Sequence, residues 1–246
     1  MKLIRLGRAT VMCLSVAWLS FFSNFVIHDA HASGIGGYLT LGKGEVNFNE
    51  NWDDSNIWDE LKSSGDAEFY GFGFIFDTNV AKNRVFSYRL QVGFEKAEYD
   101  FDSVKNITTN TDLTPTLNKF KLDIDRLVFD NTFGFGIVRE KNFRLWVGPQ
   151  IRIGSMSGDG SMTDIYGTKQ DLDLRGFIYG IAPVIGVNFN FNNNLTIGVD
   201  LGYRFNGFWG NLEKSSLGVF DEDYYYGSEN TLFFNFSLIY RINDNF

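Results

Sequence analysis

Cysteine, histidine and proline are scarce in this chain, and each scarcity excludes something. The 246 residues hold one cysteine, two histidines and three prolines. Cys13, His28 and His31 all fall within the first 32 residues. That segment reads as a secretory leader. Lys2, Arg5 and Arg8 form a basic start, Val11 to Phe22 an apolar stretch, and Ala30-His31-Ala32 an A-x-A cleavage site. Ser15, Ser20, Ser23 and Asn24 interrupt the apolar stretch, and a spanning helix needs roughly 20 apolar residues. No lipobox precedes Cys13. The expected organisation is a signal peptide over 1–32 and one domain over 33–246. The mature domain then has no thiol for a disulfide and no imidazole to act as base or metal ligand.

Basic charge is also short. Lys and Arg number 22 against 30 Asp and Glu, a net charge of −8. Losing Lys2, Arg5, Arg8 and Asp29 with the leader takes it to −10. Nucleic acid is excluded as a partner on this balance. After the leader there is no apolar run long enough for a transmembrane helix.

What the chain has is alternation. In Phe86-Ser87-Tyr88-Arg89-Leu90-Gln91-Val92-Gly93-Phe94-Glu95 every even position is large and apolar, and every odd one polar or small. A strand of this kind has one greasy face and one wet face. The pattern recurs to predict eight strands: 34–48, 66–77, 84–101, 119–138, 143–154, 173–190, 195–209 and 231–242. Phe, Tyr and Gly are abundant, and aromatic residues favour strands. Short connections at 78–83, 139–142 and 191–194 alternate with long polar ones at 49–65, 102–118, 155–172 and 210–228. Three tight turns on one rim and four long loops on the other suit an all-β, eight-stranded antiparallel up-and-down transmembrane barrel in a bacterial outer membrane. Turns and termini would be periplasmic and loops external. The rival fold is a soluble barrel of the lipocalin kind, greasy inside and polar outside. The aromatic apolar faces and the rim asymmetry favour the membrane form.

On these residues the chain resembles the small Gram-negative outer-membrane barrels of the OmpA, OmpX and OmpW type, over essentially all of the mature length. Its end adds to the resemblance: Leu232, Phe234, Phe236, Leu238, Tyr240, Ile242 and Phe246 share one parity. This is similar to the C-terminal aromatic signal such proteins show to the barrel-assembly machinery. Asn243-Asp244-Asn245 before Phe246 departs from it. Outer-membrane lipid and lipopolysaccharide are the other partners the resemblance implies.

The expected lumen face carries Arg89, Gln91, Glu95, Arg126, Asp130, Arg144, Gln150, Arg152, Asp200, Arg204, Asn235 and Arg241. Eight strands leave an interior just wide enough for side chains to fill. Buried charges persist when paired. Arg126 with Asp130, and Asp200 with Arg204, share a face of their strands and are expected to join a plug of cross-barrel ion pairs. The functional rival is an Arg-rich constriction for small anions, since six arginines there exceed three acids. Barrel enzymes that modify lipid A, hydrolyse phospholipid or cleave protein resemble one another in using a histidine base. Without histidine, and with no Lys or carboxylate grouped with a nucleophile, no catalytic residues and no cofactor are expected.

The loops are acidic. The first holds Glu50, Asp53, Asp54, Asp59 and Glu60 with Trp52 and Trp58, and the fourth Glu213, Asp221, Glu222 and Asp223 beside Tyr224, Tyr225 and Tyr226. A solvated surface is the plain reading, and cation bridging to phosphorylated headgroups the sharper one. No EF-hand spacing is present, and no specific metal site is expected. One irregularity stands out. Pro149 and Pro183 lie inside neighbouring strands, where proline is normally confined to edges or bulges. Asn131 interrupts the apolar face of the strand beside them. The three lie at similar depth and suggest a lateral opening, as proline-flanked gaps do in the palmitoyltransferase and OmpW-type families. Paired β-bulges are the alternative. The leading expectation is a structural or surface-interaction role through acidic external loops. A narrow channel or lateral conduit for small or hydrophobic solutes comes second, and a lipid-modifying enzyme third.

Overall fold

A computed structural model describes residues 33–54, 57–80, 85–107, 109–113, 120–163, 169–191, 194–216 and 219–242, with side chains of 51–60 and 216–222 left undescribed. The leader and residues 243–246, including the expected assembly signal at Phe246, lie outside that set. Eight long strands form the wall: β1 (Gly34–Asp54), β2 (Ile57–Asp77), β3 (Phe86–Asn106), β5 (Phe120–Arg139), β6 (Phe143–Thr163), β7 (Lys169–Asn190), β8 (Leu195–Ser216) and β9 (Val219–Arg241). The two-residue β4 (Thr111–Asp112) pairs only with the end of β3. Sequential neighbours pair antiparallel, and β1 pairs with both β2 and β9, which closes the barrel.

The strand count of the wall agrees with the sequence, but the loops do not. Most of the expected loop segments are strand. β1 runs on to Asp54, β2 begins at Ile57, β6 continues to Thr163 and β9 begins at Val219. Alternation continues there with inverted sense. On β1, Leu39 and Leu41 face out, while further along Val46 and Phe48 face in. On β3, Phe94 faces out, and Ala97, Tyr99 and Phe101 face in. The expected strands on β1 and β3 already cross that inversion but end at Phe48 and Phe101, where the apolar signal gives way to polar residues.

The register defines the barrel. Cα partners run from Leu39 through Phe72, Phe94, Leu127, Ser155, Phe177, Trp209 and Tyr226 back to Asn49, ten residues further along β1. With eight strands, that stagger requires a tilt of about 40°. One residue along a strand then climbs about 2.4 Å along the axis, and one step to the next strand about 3 Å. On this measure the last apolar outward residues, Leu41, Tyr70, Phe94, Leu127, Ile153 and Leu232, lie within about 4 Å of one level. Below that level the outer surface is mostly Ile, Leu, Val, Phe and Tyr for roughly 20 Å, interrupted by Asn131, Pro149 and Pro183, close to the height of a lipid-facing band. Above it the barrel projects about another 25 Å with a charged exterior. This upper half packs as a soluble barrel does: Phe48, Phe101, Phe120, Leu122, Ile124, Leu174, Phe208 and Leu212 are buried inside. The hydrophobic effect holds it together, at about 1.5–3 kcal/mol per buried large side chain.

Glycine makes room for this filling. Phe69, Trp146, Phe208 and Phe233 lie directly opposite Gly42, Gly186, Gly227 and Gly202. A Cβ on Gly186 would sit 2.3 Å from the Trp146 ring, and one on Gly227 2.3 Å from Phe208. Large inward rings thus lie flat across bare backbone, a cross-strand device that also protects it.

Candidate functional site

Each of the twelve polar residues expected in the lumen is buried. They fall into layers. In the central layer Arg152 is gripped by two carboxylates: its Nη1 and Nη2 donate to Glu95 at 2.7 and 2.6 Å, and its Nε and Nη2 to Asp130 at 2.7 Å. Bidentate pairs of this kind are the strong ones. Arg204 reaches Asp130 at 3.3 Å and Glu95 at 3.6 Å, donates to Gln150 at 3.3 Å, and lies 3.7 Å over the Phe233 ring. Gln150 donates on to Thr132 at 3.1 Å.

Towards the loop end, Arg126 donates to Glu229 and Tyr99, and Tyr99 donates to Glu229 at 2.6 Å. Towards the turn end, Arg89 bridges Asp77 at 2.9 Å and Asp200 at 2.7 Å, donates to Asn188 at 3.1 Å and lies 4.8 Å from the Trp146 ring centre. Arg144 and Arg241 belong to the rim instead. Arg144 donates to the Val85 carbonyl at 3.2 Å, and Arg241 to the carbonyls of Leu195 and Phe191 at 3.0 and 2.5 Å. Both staple turns at this end, and Arg241 also donates to the Thr196 hydroxyl at 2.9 Å. Just past the end of β2, Val80 is fully buried and its carbonyl accepts from Asn188 at 3.1 Å.

All four residues enter cross-barrel ion pairs, and the register decides with which partner. Arg126 pairs with Glu229, Asp130 with Arg152, and Asp200 with Arg89. Two acids were missed. Asp77 ends its strand beside a turn, and Glu229 precedes the expected start of the last strand at Thr231, yet both keep the inward parity. Their addition offsets much of the arginine excess. Above the network the apolar core fills the loop-side half. At its top Lys214 is buried with Glu50, and 3.1 Å from Asp223. Extending the parity of the seventh strand past Trp209 would have found Lys214.

The two prolines are direct partners: Pro149 lies opposite Pro183 in β6–β7. That ladder is continuous, and no register shift occurs at either proline. The interruptions fall on their far sides. β5–β6 partners jump from Thr132–Gln150 to Phe135–Val147, and β7–β8 partners from Ile181–Phe205 to Val184–Gly202. A β-bulge reading at the prolines therefore fails; the β5–β6 shift lies lower, at Gly136/Val138. Asn131 is half-buried on the outer face and accepts from the Tyr88 hydroxyl at 2.6 Å. It is paired across β3–β5 and does not face the prolines alone.

The acids of the upper exterior line up across the sheet. Glu68, Glu98, Asp123, Asp159, Asp173 and Glu213 are successive direct partners from β2 to β8. Like charges directly opposite are unfavourable. Lys43 on Glu68 at 2.7 Å, Lys121 on Glu98 at 2.5 Å and Arg175 on Asp173 at 3.3 Å relieve part of the repulsion. The Lys43 bond holds the Glu68 carboxyl below its usual range. The acidity expected in loops is thus carried by strands. Among the described residues no three acidic groups are close enough to hold a metal.

No protein-family model and no curated protein matches the sequence. Solved structures match by shape. The outer membrane protein OprG from Pseudomonas aeruginosa is 14% identical, with a TM-score of 0.51 over 87% of this chain and 98% of that one. The outer membrane protease OmpT from Escherichia coli is 12% identical, with a TM-score of 0.35 over 87% and 97%. Ail, the attachment invasion locus protein of Yersinia pestis, is 12% identical, with a TM-score of 0.21 over 79% and 98%. The first establishes the fold, that of an outer-membrane β-barrel. Nothing further rests on the other two.

Proposed function

We propose, taking an outer-membrane barrel as the premise, that this chain is a sealed, non-enzymatic envelope protein that presents a rigid charged barrel above the membrane. One observation carries the reading: the lumen is crossed by an ion-pair network in the membrane half and by an apolar core in the projecting half. Ions would have to cross the Arg152–Glu95–Asp130–Arg204 layer and then the Phe48–Phe101–Phe208 aromatic packing. The buried carboxylates Glu95, Asp130 and Glu229 are all held by arginines, which opposes their use as acids or bases. Contact surfaces would then be the strand-borne exterior of the projection.

The test is single-channel recording of the folded protein in a planar bilayer. Silence from folded protein is expected. Discrete steps that change when Arg152 or Arg204 is neutralised would overturn the sealed lumen. A second reading, a lateral conduit for hydrophobic solutes, is favoured by the ladder interruptions flanking Pro149 and Pro183. Faster passage of a lipophilic dye through vesicles bearing the protein, slowed by Pro149→Ala with Pro183→Ala, would establish it.

A further inference from the structure

The projecting exterior is not the same all round. At one level above the lipid-facing band, β2, β3 and β5 carry Glu68, Glu98 and Asp123. On β7 to β9 the same level is aromatic. Phe177, Trp209 and Tyr226 are successive direct partners in one row across three strands. Tyr179 lies below, its ring centre 5.3 Å from that of Trp209, and Phe177 is 5.8 Å from Trp209. Tyr224 continues the face upward. Trp209 is 51% exposed and Tyr224 69%. On the register measure Phe177 and Trp209 stand about 8 and 11 Å above the common upper edge of the band. Neighbouring outward positions Gly207, Asn211, Ser228 and Asn230 are uncharged. Arg175 and Asp173 at the margin are 3.3 Å apart and answer one another.

Height, chemistry and continuity identify the occupant. The aromatic row runs into the apolar band below on β7, through Tyr179 and Ile181; on β8 the Tyr179 ring covers Gly207 between Trp209 and Phe205, and on β9 Ser228 and Asn230 separate Tyr226 from Leu232. A molecule seated here has acyl chains on the band and its headgroup on the row. The row itself carries no cation to hold a phosphate; Lys43, Lys96 and Lys121 lie on β1, β3 and β5 instead. What the row offers is flat π-faces edged by Tyr hydroxyls and Asn amides. Sugar rings complement this, with C–H faces to stack and hydroxyl edges to hydrogen-bond. An exposed patch of this kind on an otherwise charged surface marks a contact site. We infer that the β7–β9 face binds the saccharide headgroup of an outer-leaflet glycolipid, with Trp209 and Tyr226 as stacking platforms.

This rests on the membrane reading of the barrel but not on the sealed lumen. The full chain, produced in a Gram-negative host and extracted in detergent, is placed in phosphatidylcholine nanodiscs. These contain either lipopolysaccharide bearing its core sugars or lipid A without them. Glycolipid retained per barrel is measured by titration. Trp209→Ala with Tyr226→Ala should weaken binding of the sugar-bearing lipid about tenfold and leave lipid A unchanged. Trp209→Phe with Tyr226→Phe should restore most of it, because the stacking faces remain. Equal loss for both lipids would make the row a membrane anchor and overturn the inference. So would no loss, or conversion of a dimer to a monomer by the same changes. Should the double Ala variant fail to fold, Tyr226→Ser alone decides on the same ratio. A conducting wild type would sink the sealed-lumen proposal and leave these ratios untouched.

Discussion

Pro149 and Pro183 sit directly opposite each other across β6 and β7 without disturbing the ladder between them. In an antiparallel pair, opposite residues alternate between exchanging both backbone bonds and exchanging none. Two prolines can face each other only at a position of the second kind. Their missing donors then point away from each other, to β5 and β8. The interruptions occur there. The β6–β7 pair is therefore a continuous ribbon bounded on each side by a stretch of unbonded wall.

Replacing both prolines by Ala should close those stretches. Each restored bond adds about 0.5–1.5 kcal/mol, but each lost proline returns about 0.4–1 kcal/mol of unfolded-state entropy. Overall stability is thus expected to change little. Hydrogen exchange is the decisive measurement: the new amides at 149 and 183 should be protected. Rapid exchange there would mean that the backbone cannot close.

Arg152→Met should be severe. It strands Glu95 and Asp130 in the interior with Arg204 and Arg126 as their remaining cations. Breaking a buried pair from one side costs about 3–5 kcal/mol. Lys43→Ala on the exterior should cost nothing measurable, because both partners of its pair are exposed. Urea unfolding in lipid distinguishes the two. Comparable midpoints for both variants would show that the central network carries no special weight.

Glu229 lies above the membrane-spanning part of β9, which runs over 232–240. Burial would raise its carboxyl, but Arg126 beside it and the Tyr99 and Arg126 bonds prevail and hold it below the usual range. A depressed carboxylate stabilises the fold above its unfolded value, near pH 4.3, and that contribution fades as pH falls through the folded value. Acid should therefore loosen the upper half below about pH 4. Glu229→Gln should remove this step at the cost of lower stability at neutral pH. Near-ultraviolet circular dichroism, read on the buried Tyr99 and Tyr225, reports it. An identical acid profile in the variant would assign the step to another group.

Asp159 has Asp123 and Asp173 as direct partners on either side. Asp159→Lys should relieve that repulsion and raise the unfolding midpoint, with a gain that shrinks as salt is added. A gain independent of salt would point to a cause other than charge.

The wall was legible in the sequence because a strand's period is two. Leu232, Phe234, Phe236, Leu238 and Tyr240 announce an outer face without any help from their neighbours. The same parity placed Glu95, Arg126, Asp130, Arg152 and Arg204 inside. Only the base of the projecting half was legible as strand, through Phe48 on β1 and Phe101 on β3; beyond them, polar runs such as Asn49-Glu50-Asn51 and Ser155-Met156-Ser157-Gly158 carry no apolar alternation to announce a strand. Lys214, Glu50 and Glu229 were lost with them.

The amino-acid pattern by itself determined an eight-stranded barrel wall, its lipid-facing side and the polarity of its membrane-level lumen. Parity is local, so each strand declares it alone. The tertiary structure decided which charges meet: that Arg126 finds Glu229, Arg89 finds Asp200, and Pro149 faces Pro183. It also lined up Phe177, Trp209 and Tyr226 in one row. Those contacts depend on the ten-residue stagger of the closed barrel, a property of all eight strands together. No single stretch of sequence carries it.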